Sequence, residues 1–431
     1  MTSPASTLPH WEAPAARGPV CGTVRVPGSK SLTNRYLLLA ALADGPTTLH
    51  RPLVSRDSTL MLGALEQLGV EVDRGDGTTW VIRPPARLLG GGAVDCGLAG
   101  TVMRFVPPVA ALADGPVHFD GDPAARTRPI AQLLGALRDL GVLVDDEGDP
   151  RLPFTVRGTG QVRGGRVLID ASASSQFVSA LLLAGARYDD GLTLVHVGDG
   201  LPSRPHIDMT LQSLAQVGVD VREEPVCTWR VEPGPVRGIE VTVEPDLSSA
   251  APFLAVAAAT GGTVTVPDWP TRTTQAGDAM RELVVRMGAE ARLGPAGMTV
   301  TGPAAGGLRG VDADLHEVGE LTPVVAALCA LASGPSRLRG VGHLRGHETD
   351  RLAALETELT RVGADVQQTD DGLLITPRPL RPATLETYHD HRMAMAACVL
   401  GAAVPGTRVV DVETTAKTFP GFADMWAGLV R

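Results

Sequence analysis

The chain's two lysines, Lys30 and Lys417, are the first candidates for chemistry, because the other basic residues among 38 are all arginines. An ammonium is a compact charge that can lose a proton, whereas a guanidinium stays charged. Lys30 lies just ahead of the apolar run from Tyr36 to Ala43, and this pattern predicts a helix beginning near Ser29 or Ser31. The unpaired N–H groups and the dipole at such a helix start favour an anion.

Similar polar clusters occur at the starts of the later predicted helices. They comprise Gly100 and Arg128, then Ser174, Ser175, Gln176 and Ser203, then Glu320, then His347, Glu348 and Arg351, then His391 and Arg392, and finally Lys417. Taken singly, each cluster has a structural explanation: an acidic residue in a first turn can serve the helix dipole, and His391 could be a core residue. The segment Asp246-Leu247-Ser248-Ser249 is interpreted as plain capping.

Together these clusters predict one cleft between two domains, lined by helix N-termini and rich in cations. Lys30, Arg35 and Arg128 belong to the first half of the chain, and further cations to the second. Such a cleft suits small substrates that carry phosphate and carboxylate groups. Glu320 and Glu348 lie among the cations, where carboxylates can have shifted pKa values and move protons.

A six-fold repeat must position these residues. Its first helices begin near Ser31, Gly100, Ser174, Ser248, Glu320 and His391, at a spacing of 69 to 74 residues. Each helix precedes a turn and a short strand, and in the first five units a second helix then ends in a glycine before further strands. A period of this length indicates a repeat architecture. The fold class is therefore α/β, with β-α-β-α-β-β-type units.

The sixth unit lacks closing strands, whereas the N-terminus carries an unassigned strand pattern at residues 22–26. We expect this strand to complete the last domain, which is then discontinuous. The predicted division is a flexible tail over 1–17, a discontinuous domain over 18–27 and 244–431, and an inserted domain over 28–243. Each domain contains three units.

Composition excludes several classes of protein. A net charge of −10 disfavours nucleic-acid binding, and the apolar runs are too short to span a bilayer. The five cysteines form no C-x-x-C motif, which argues against disulfides or zinc and predicts a cytoplasmic protein. We expect no metal, no cofactor, no membrane partner and a monomeric state.

The helix-start motifs resemble those of the enolpyruvyl transferases, most closely the members that act on shikimate 3-phosphate, over essentially the whole chain after about residue 20. The motifs are Pro27-Gly28-Ser29-Lys30-Ser31, Ala99-Gly100-Thr101, Ser174-Ser175-Gln176, Glu348-Thr349-Asp350-Arg351, Asp390-His391-Arg392-Met393-Ala394-Met395 and Ala416-Lys417-Thr418-Phe419-Pro420. The resemblance implies two similar domains with buried helices, an inside-out α/β barrel arrangement, and an active site in the interdomain cleft.

The same resemblance implies transfer of enolpyruvyl from phosphoenolpyruvate to the 5-hydroxyl of shikimate 3-phosphate. Shikimate 3-phosphate would be held by Lys30, Ser31, Arg35, Ser174, Ser175, Gln176, Ser203, Glu320, His343 and His347. Phosphoenolpyruvate would be held by Lys30, Gly100, Arg128, Gln176, Arg351, His391, Arg392 and Lys417. Glu320 would be the base, either Glu348 or Lys417 the proton donor, and Lys30 a further catalytic residue. Glyphosate would occupy the phosphoenolpyruvate site.

Four positions depart from the family pattern. Leu98 replaces a frequent Asn, and Glu320 replaces the more usual Asp. His343 and His347 replace a frequent Asn and Lys, which predicts that shikimate 3-phosphate binds more tightly as pH falls through about 6 to 7. The nearest alternative acceptor is UDP-N-acetylglucosamine, but the characteristic loop cysteine of those enzymes has no counterpart in residues 121–128. A non-catalytic anion-binding or scaffold protein is the third possibility.

Overall fold

The structure is a computed structural model that describes residues 9–304 and 306–431. The chain divides into two compact units, here called the inserted unit (27–244) and the discontinuous unit (residues up to 26 together with 245–431). These boundaries differ by one residue at each cut from the predicted ones. Two strands precede the inserted unit, namely β1 (His10–Glu12) and β2 (Cys21–Thr23).

The inserted unit contains six helices and twelve strands among its residues, all of which the structure describes. In chain order they are α1 (Lys30–Ala41), β3 (Thr47–His50), α2 (Arg56–Gln67), β4 (Glu71–Asp73), β5 (Thr79–Arg83), β6 (Ala93–Asp95), α3 (Gly100–Ala110), β7 (Pro116–Asp120), α4 (Ala131–Asp139), β8 (Leu143–Asp145), β9 (Phe154–Arg157), β10 (Gly165–Ile169), α5 (Gln176–Gly185), β11 (Leu192–His196), α6 (Arg204–Gln216), β12 (Val221–Glu224), β13 (Thr228–Val231) and β14 (Glu240–Thr242).

The C-terminal part of the discontinuous unit repeats this succession. Its α-helices and strands are α7 (Leu247–Thr260), β15 (Thr263–Val266), α8 (Met280–Arg286), β16 (Glu290–Gly294), β17 (Gly297–Thr301), β18 (Asp312–Asp314), α9 (Thr322–Leu331), β19 (Ser336–Arg339), α10 (Arg351–Arg361), β20 (Asp365–Thr369), β21 (Gly372–Thr376), β22 (Thr384–Leu385), α11 (His391–Ala403), β23 (Arg408–Val410) and α12 (Phe422–Val430). Among the described residues, four 3-10 helices lie between them, at Ala276–Ala279, His316–Leu321, Gly342–Gly346 and Val412–Lys417.

Each sheet of the inserted unit combines strands of two repeats. The strand orders are β14-β3-β5-β4, β6-β7-β9-β8 and β10-β11-β13-β12. In each sheet the first pair is parallel and the other pairs are antiparallel. The last strand of each repeat thus joins the sheet of the next repeat, and β14 joins that of the first.

The discontinuous unit follows the same rule with the help of the N-terminal strands. Its sheets have the orders β16-β17-β15-β2, β18-β19-β21-β20 and β1-β23-β22. β2 pairs in parallel with β15, the position that β14 takes beside β3 in the inserted unit. β1 pairs antiparallel with β23 and supplies an outer strand to the sixth repeat.

The prediction of a loose tail over residues 1–17 is therefore wrong from residue 10 onward. Besides β1, the buried Ala13 donates its N–H to the Thr407 carbonyl over 3.0 Å, and Ala16 donates to Ala402 over 2.9 Å. Residues 1–8 lie outside the described residues. A proline- and alanine-rich composition concealed a strand because the strand is short and its partner lies about 400 residues away.

The first helix of every repeat lies in the interior. α1, α3 and α5 pack on one another in the inserted unit, as do α7, α9 and α11 in the discontinuous unit. All eleven residues of α3 are buried, which its apolar character on every side requires. The second helices, such as α2, expose one face. None of the helices in the described ranges is both long enough and apolar enough to cross a membrane.

Candidate functional site

In the inserted unit, side-chain hydrogen bonds join the first two turns of the three buried helices. Asn34 of α1 donates to the Thr101 hydroxyl of α3 over 2.7 Å, and Arg104 of α3 donates to Oε1 of Gln176, the first residue of α5, over 2.9 Å. Three N-termini with their orphan N–H groups therefore lie together. This arrangement is suited to binding an anion.

Lys30 is the first residue of α1, and Ser29 caps the helix by accepting from the Leu32 N–H. The Lys30 ammonium lies 3.4 Å from Oδ2 of Asp57 in the first turn of α2. The Asp57 side chain is 1% exposed and that of Lys30 18%. A buried carboxylate thus restrains an ammonium that remains accessible to a ligand.

Arg35 is more deeply buried than a simple ligand-facing cation would be, at 1% exposure. Its guanidinium donates to the Thr210 hydroxyl at 2.8 Å, the Ser31 carbonyl at 2.9 Å and the His206 carbonyl at 2.8 Å. It also lies 5.2 Å from the centroid of the Phe105 ring. These contacts tie α1 to α6. A direct contact between Arg35 and shikimate 3-phosphate stays a prediction.

Gly100 and Arg128 are neighbours at the start of α3. A Cβ on Gly100 would lie 2.8 Å from Nη2 of Arg128, so the guanidinium occupies the space that the missing side chain leaves. Arg128 also donates to the Leu98 carbonyl over 3.2 Å. Leu98 therefore contributes its backbone here, in place of the amide that is frequent at this position in the family pattern.

The serine candidates of the inserted unit also lie at helix starts. Ser174 accepts from the Gln176 N–H over 3.3 Å, and Ser175 is the buried N-cap residue of α5. Ser203 is the N-cap residue of α6 in a left-handed conformation, with φ of 56°. Ser31 follows Lys30 in the first turn of α1, partly exposed.

In the discontinuous unit, a chain of alternating charges links α10, α11 and the 3-10 helix that ends at Lys417. The Lys417 ammonium lies 2.6 Å from Oε1 of Glu348, whose Oε2 accepts from Arg351 over 3.0 Å. Arg351 also donates twice to Asp390, over 2.8 and 3.1 Å. Burial alone would lower the pKa of Arg351, but the Asp390 and Glu348 carboxylates outweigh it and raise that pKa above its ordinary range.

Glu320 lies at the end of the 3-10 helix His316–Leu321, just before α9, and does not open an α-helix as predicted. Ser248, in the first turn of α7, donates to its Oε1. Nη2 of Arg392, in the first turn of α11, lies 4.0 Å from the same oxygen. Asp246 caps α7 by accepting from the Ser249 N–H, as predicted, whereas the Ser248 hydroxyl binds Glu320.

His343 and His347 lie beside the Arg351 cluster. The His343 ring lies 5.9 Å from that of His347 and also 5.9 Å from that of His316. Burial, then His316, then Arg351 lower the pKa of His343 to about 4. A pKa this low leaves His343 neutral at pH 6 to 7, so the predicted pH dependence of shikimate 3-phosphate binding is assigned to His347. His347 is one-third exposed.

The remaining candidates of the discontinuous unit cluster at the start of α11. Asp390 is the N-cap residue and accepts from the Arg392 N–H over 2.8 Å, while His391 is 2% exposed. α10 begins only at Arg351, capped by Asp350, so His347 and Glu348 precede the helix.

Three residues of these clusters were missed or taken for capping from sequence, namely Asp57, Arg104 and Ser248. Asp57 resembles an ordinary dipole partner in a first turn, and its pairing with Lys30 crosses 27 residues. Arg104 does give a signal, since it is the one charged residue within the apolar helix α3. Buried charges are rare unless they are paired.

The described residues contain no group of three or more His, Cys, Asp or Glu side chains arranged to hold a metal. Comparison with known proteins explains why the two sets of helix starts carry these residues. The family model of EPSP synthase, also named 3-phosphoshikimate 1-carboxyvinyltransferase, matches residues 14–426. The chain belongs to the EPSP synthase family. The predicted resemblance to enolpyruvyl transferases is thereby confirmed.

Individual relatives agree with the family match. A protein of Kocuria rhizophila named 3-phosphoshikimate 1-carboxyvinyltransferase is 59% identical over 430 residues, covering 97% of this chain and 96% of the relative. The fold is similar to that of EPSP synthase from Acinetobacter baumannii, with a TM-score of 0.80, 24% identity and coverage of 97% and 98%. It is also similar to the enolpyruvyl transferase NikO from Streptomyces tendae, with a TM-score of 0.74, 18% identity and coverage of 96% of both chains.

Proposed function

We propose that this chain transfers the enolpyruvyl group of phosphoenolpyruvate to the 5-hydroxyl of shikimate 3-phosphate and releases phosphate, a step toward aromatic amino acids. The observation that carries the proposal is the Lys417–Glu348–Arg351–Asp390 chain of alternating charges in the discontinuous unit. Lys417 and Arg351 are cations that can hold an anion, and both contact Glu348. The Glu348–Lys417 pair can also move a proton.

Phosphoenolpyruvate carries a phosphate and a carboxylate, and both demand cations. Its proposed ligands are Lys30, Gly100, Arg128 and Gln176 from the inserted unit, and Arg351, His391, Arg392 and Lys417 from the discontinuous unit. Arg104 takes the Gln176 oxygen, so the amide NH₂ of Gln176 is directed elsewhere as a donor. That polarity suits an anionic ligand.

Shikimate 3-phosphate is the proposed acceptor. Its ligands are Lys30, Ser31, Arg35, Ser174, Ser175, Gln176 and Ser203, together with Glu320, His343 and His347. Because His343 is neutral, it acts in this proposal as a hydrogen-bonding group. His347 is the histidine that can add positive charge.

The reaction proceeds by addition and elimination. Glu320 removes the proton of the 5-hydroxyl while the hydroxyl oxygen bonds to C2 of phosphoenolpyruvate. The Glu348–Lys417 pair delivers a proton to C3. The Glu348–Lys417 pair then takes a proton back from C3 of the tetrahedral intermediate as the C2–O bond to phosphate breaks, which restores the double bond. The hydroxyl proton that Glu320 took leaves with the phosphate. Ser248 and Arg392 hold the Glu320 carboxylate in place during these steps.

Phosphate release from phosphoenolpyruvate, measured with each acceptor in turn, tests the proposal. We expect release with shikimate 3-phosphate only, together with a product whose mass equals that of the acceptor plus the enolpyruvyl group less the one hydrogen that this group replaces. Release only with UDP-N-acetylglucosamine would assign the chain to the other acceptor. No release with either acceptor, while phosphoenolpyruvate still binds, would favour a non-catalytic anion-binding protein.

We further propose a monomer in the cytoplasm without a cofactor. All five cysteines are free thiols, which supports a reducing compartment. Size-exclusion chromatography with light scattering tests the monomeric state, and a mass twice that of the chain would contradict it.

A further inference from the structure

Two consecutive residues just before α11 have a backbone conformation that is costly for L-amino acids. Tyr388 and His389 both have φ of 55°, in the left-handed region. Each such residue is strained, and its conformation persists only where surrounding contacts impose it. The strained pair ends two residues before His391 and three before Arg392, at the start of α11.

Glu358 of α10 restrains this loop from one side. The Glu358 side chain is nearly buried, its Oε1 accepts from the Tyr388 hydroxyl over 2.7 Å, and its Oε2 accepts from the Glu386 N–H over 3.1 Å. The Arg361 guanidinium, 3.2 Å from Oε2, partly balances the charge. A buried carboxylate that accepts these bonds is a strong restraint, because breaking them removes two hydrogen-bond donors from a buried charged group.

The same helix grips the loop a second time. Arg351 lies seven residues before Glu358, two helical turns away on the same face, and binds both oxygens of Asp390. Within the strained pair, Nδ1 of His389 lies 3.1 Å from Oδ2 of Asp411. Asp411 precedes the 3-10 helix that ends at Lys417. The loop over 386–390 is thus held at three points.

We propose that Glu358 and Tyr388 are positioning residues, which fix the start of α11 so that His391 and Arg392 can hold phosphoenolpyruvate. This inference rests on the proposed function. In the proposed reaction neither Glu358 nor Tyr388 contacts a substrate. Shikimate 3-phosphate depends on other segments of this unit, the 3-10 helices that contain Glu320 and His343, so the two substrates should respond differently when the restraint is removed.

Tyr388→Phe tests this, because it removes one hydroxyl and keeps the ring. We expect the KM for phosphoenolpyruvate at saturating shikimate 3-phosphate to rise roughly 10-fold, the loss of one hydrogen bond to a charged group. The Kd of shikimate 3-phosphate alone should stay within about 2-fold of the wild-type value, because its ligands in this unit lie on other segments and changes at independent sites have little effect on one another. The matched control is Tyr188→Phe in the inserted unit, which removes a buried hydroxyl bonded to the Pro108 carbonyl over 3.2 Å. It should change neither constant.

A second variant and a second readout keep the test decisive. Glu358→Gln should raise the same KM, because the single acceptor oxygen of an amide cannot accept from both the Tyr388 hydroxyl and the Glu386 N–H. Hydrogen–deuterium exchange of peptides covering 386–400 should increase in Tyr388→Phe whether or not turnover is measured.

The outcomes separate the two proposals. Wild-type protein without phosphate release contradicts the proposed function, and unchanged exchange in Tyr388→Phe then still contradicts the positioning role. An active wild-type enzyme with an unchanged phosphoenolpyruvate KM in both variants also overturns the inference. Equal losses for both substrates, accompanied by a lower Tm, would show only general destabilisation and would overturn it as well.

Discussion

The low pKa of His343 gives a prediction about stability whose sign and size follow from its surroundings. Burial, the neighbouring His316 ring and the Arg351 guanidinium all oppose the charged imidazole, so its pKa falls to about 4 in the folded protein. The ordinary value is about 6.5. The unfolded state therefore binds more protons between these two values, and stability is lost as pH falls from about 6.5 toward 4.

The size of this loss follows from the two pKa values. Between pH 7 and pH 5 the discontinuous unit should lose about 2 kcal/mol of stability through His343. His343→Asn keeps a polar side chain and removes the titration, so the variant should lack this part of the pH dependence. The free energy of opening can be measured by native-state hydrogen exchange in α7 and α9 at both pH values.

A direct titration checks the cause. In an NMR titration with labelled histidine, the signal that disappears in His343→Asn should have an apparent pKa well below 6. His118→Asn is the control, because His118 is exposed in the inserted unit, where its ring is hydrated in both states. A His343 signal that titrates near 6.5, or equal pH dependence of stability in His343→Asn and wild type, would refute this reasoning.

Three further predictions concern turnover and binding. Lys417→Ala and Lys30→Ala should each lower kcat/KM of the folded protein, by a factor that corresponds to a loss of about 2–4 kcal/mol of transition-state stabilisation. A near-normal kcat/KM in either variant would show that the lysine is not part of the site. Gly100→Ala should raise both the KM for phosphoenolpyruvate and the Ki of glyphosate, with the larger change for glyphosate, because the methyl group would displace the Arg128 guanidinium. Unchanged constants would show that neither ligand needs that guanidinium. Shikimate 3-phosphate should bind more tightly as pH falls through about 6 to 7, and His347→Lys should remove this dependence; identical calorimetric pH profiles would show that His347 does not contact the anion.

Local sequence signals predicted the starts of α1, α3 and α11, because capping and helix dipoles act within a few residues. Ser29 and Asp390 cap α1 and α11 by accepting from N–H groups in the first turn. In the first five repeats the glycine that ends the second helix has positive φ, +85° at Gly69 for example, as a left-handed residue after a helix C-terminus requires. Such features depend on residues that are adjacent in the sequence, so composition and spacing suffice.

Pairings across the repeats were not predictable in this way, and they determine what each charged residue does. Arg35 and Arg104 are both basic residues near a helix start. Arg35 donates hydrogen bonds to protein carbonyls and hydroxyls, whereas Arg104 orients Gln176. In the sequence, Glu358 is an ordinary acidic position on an amphipathic helix. In the structure it accepts a hydrogen bond from the hydroxyl of Tyr388, thirty residues later. In each case the partner is chosen by how buried helices pack, and burial then makes the contact strong. A spacing rule detects that a charge lies near a site, but only the packing decides whether that charge faces a ligand or another side chain.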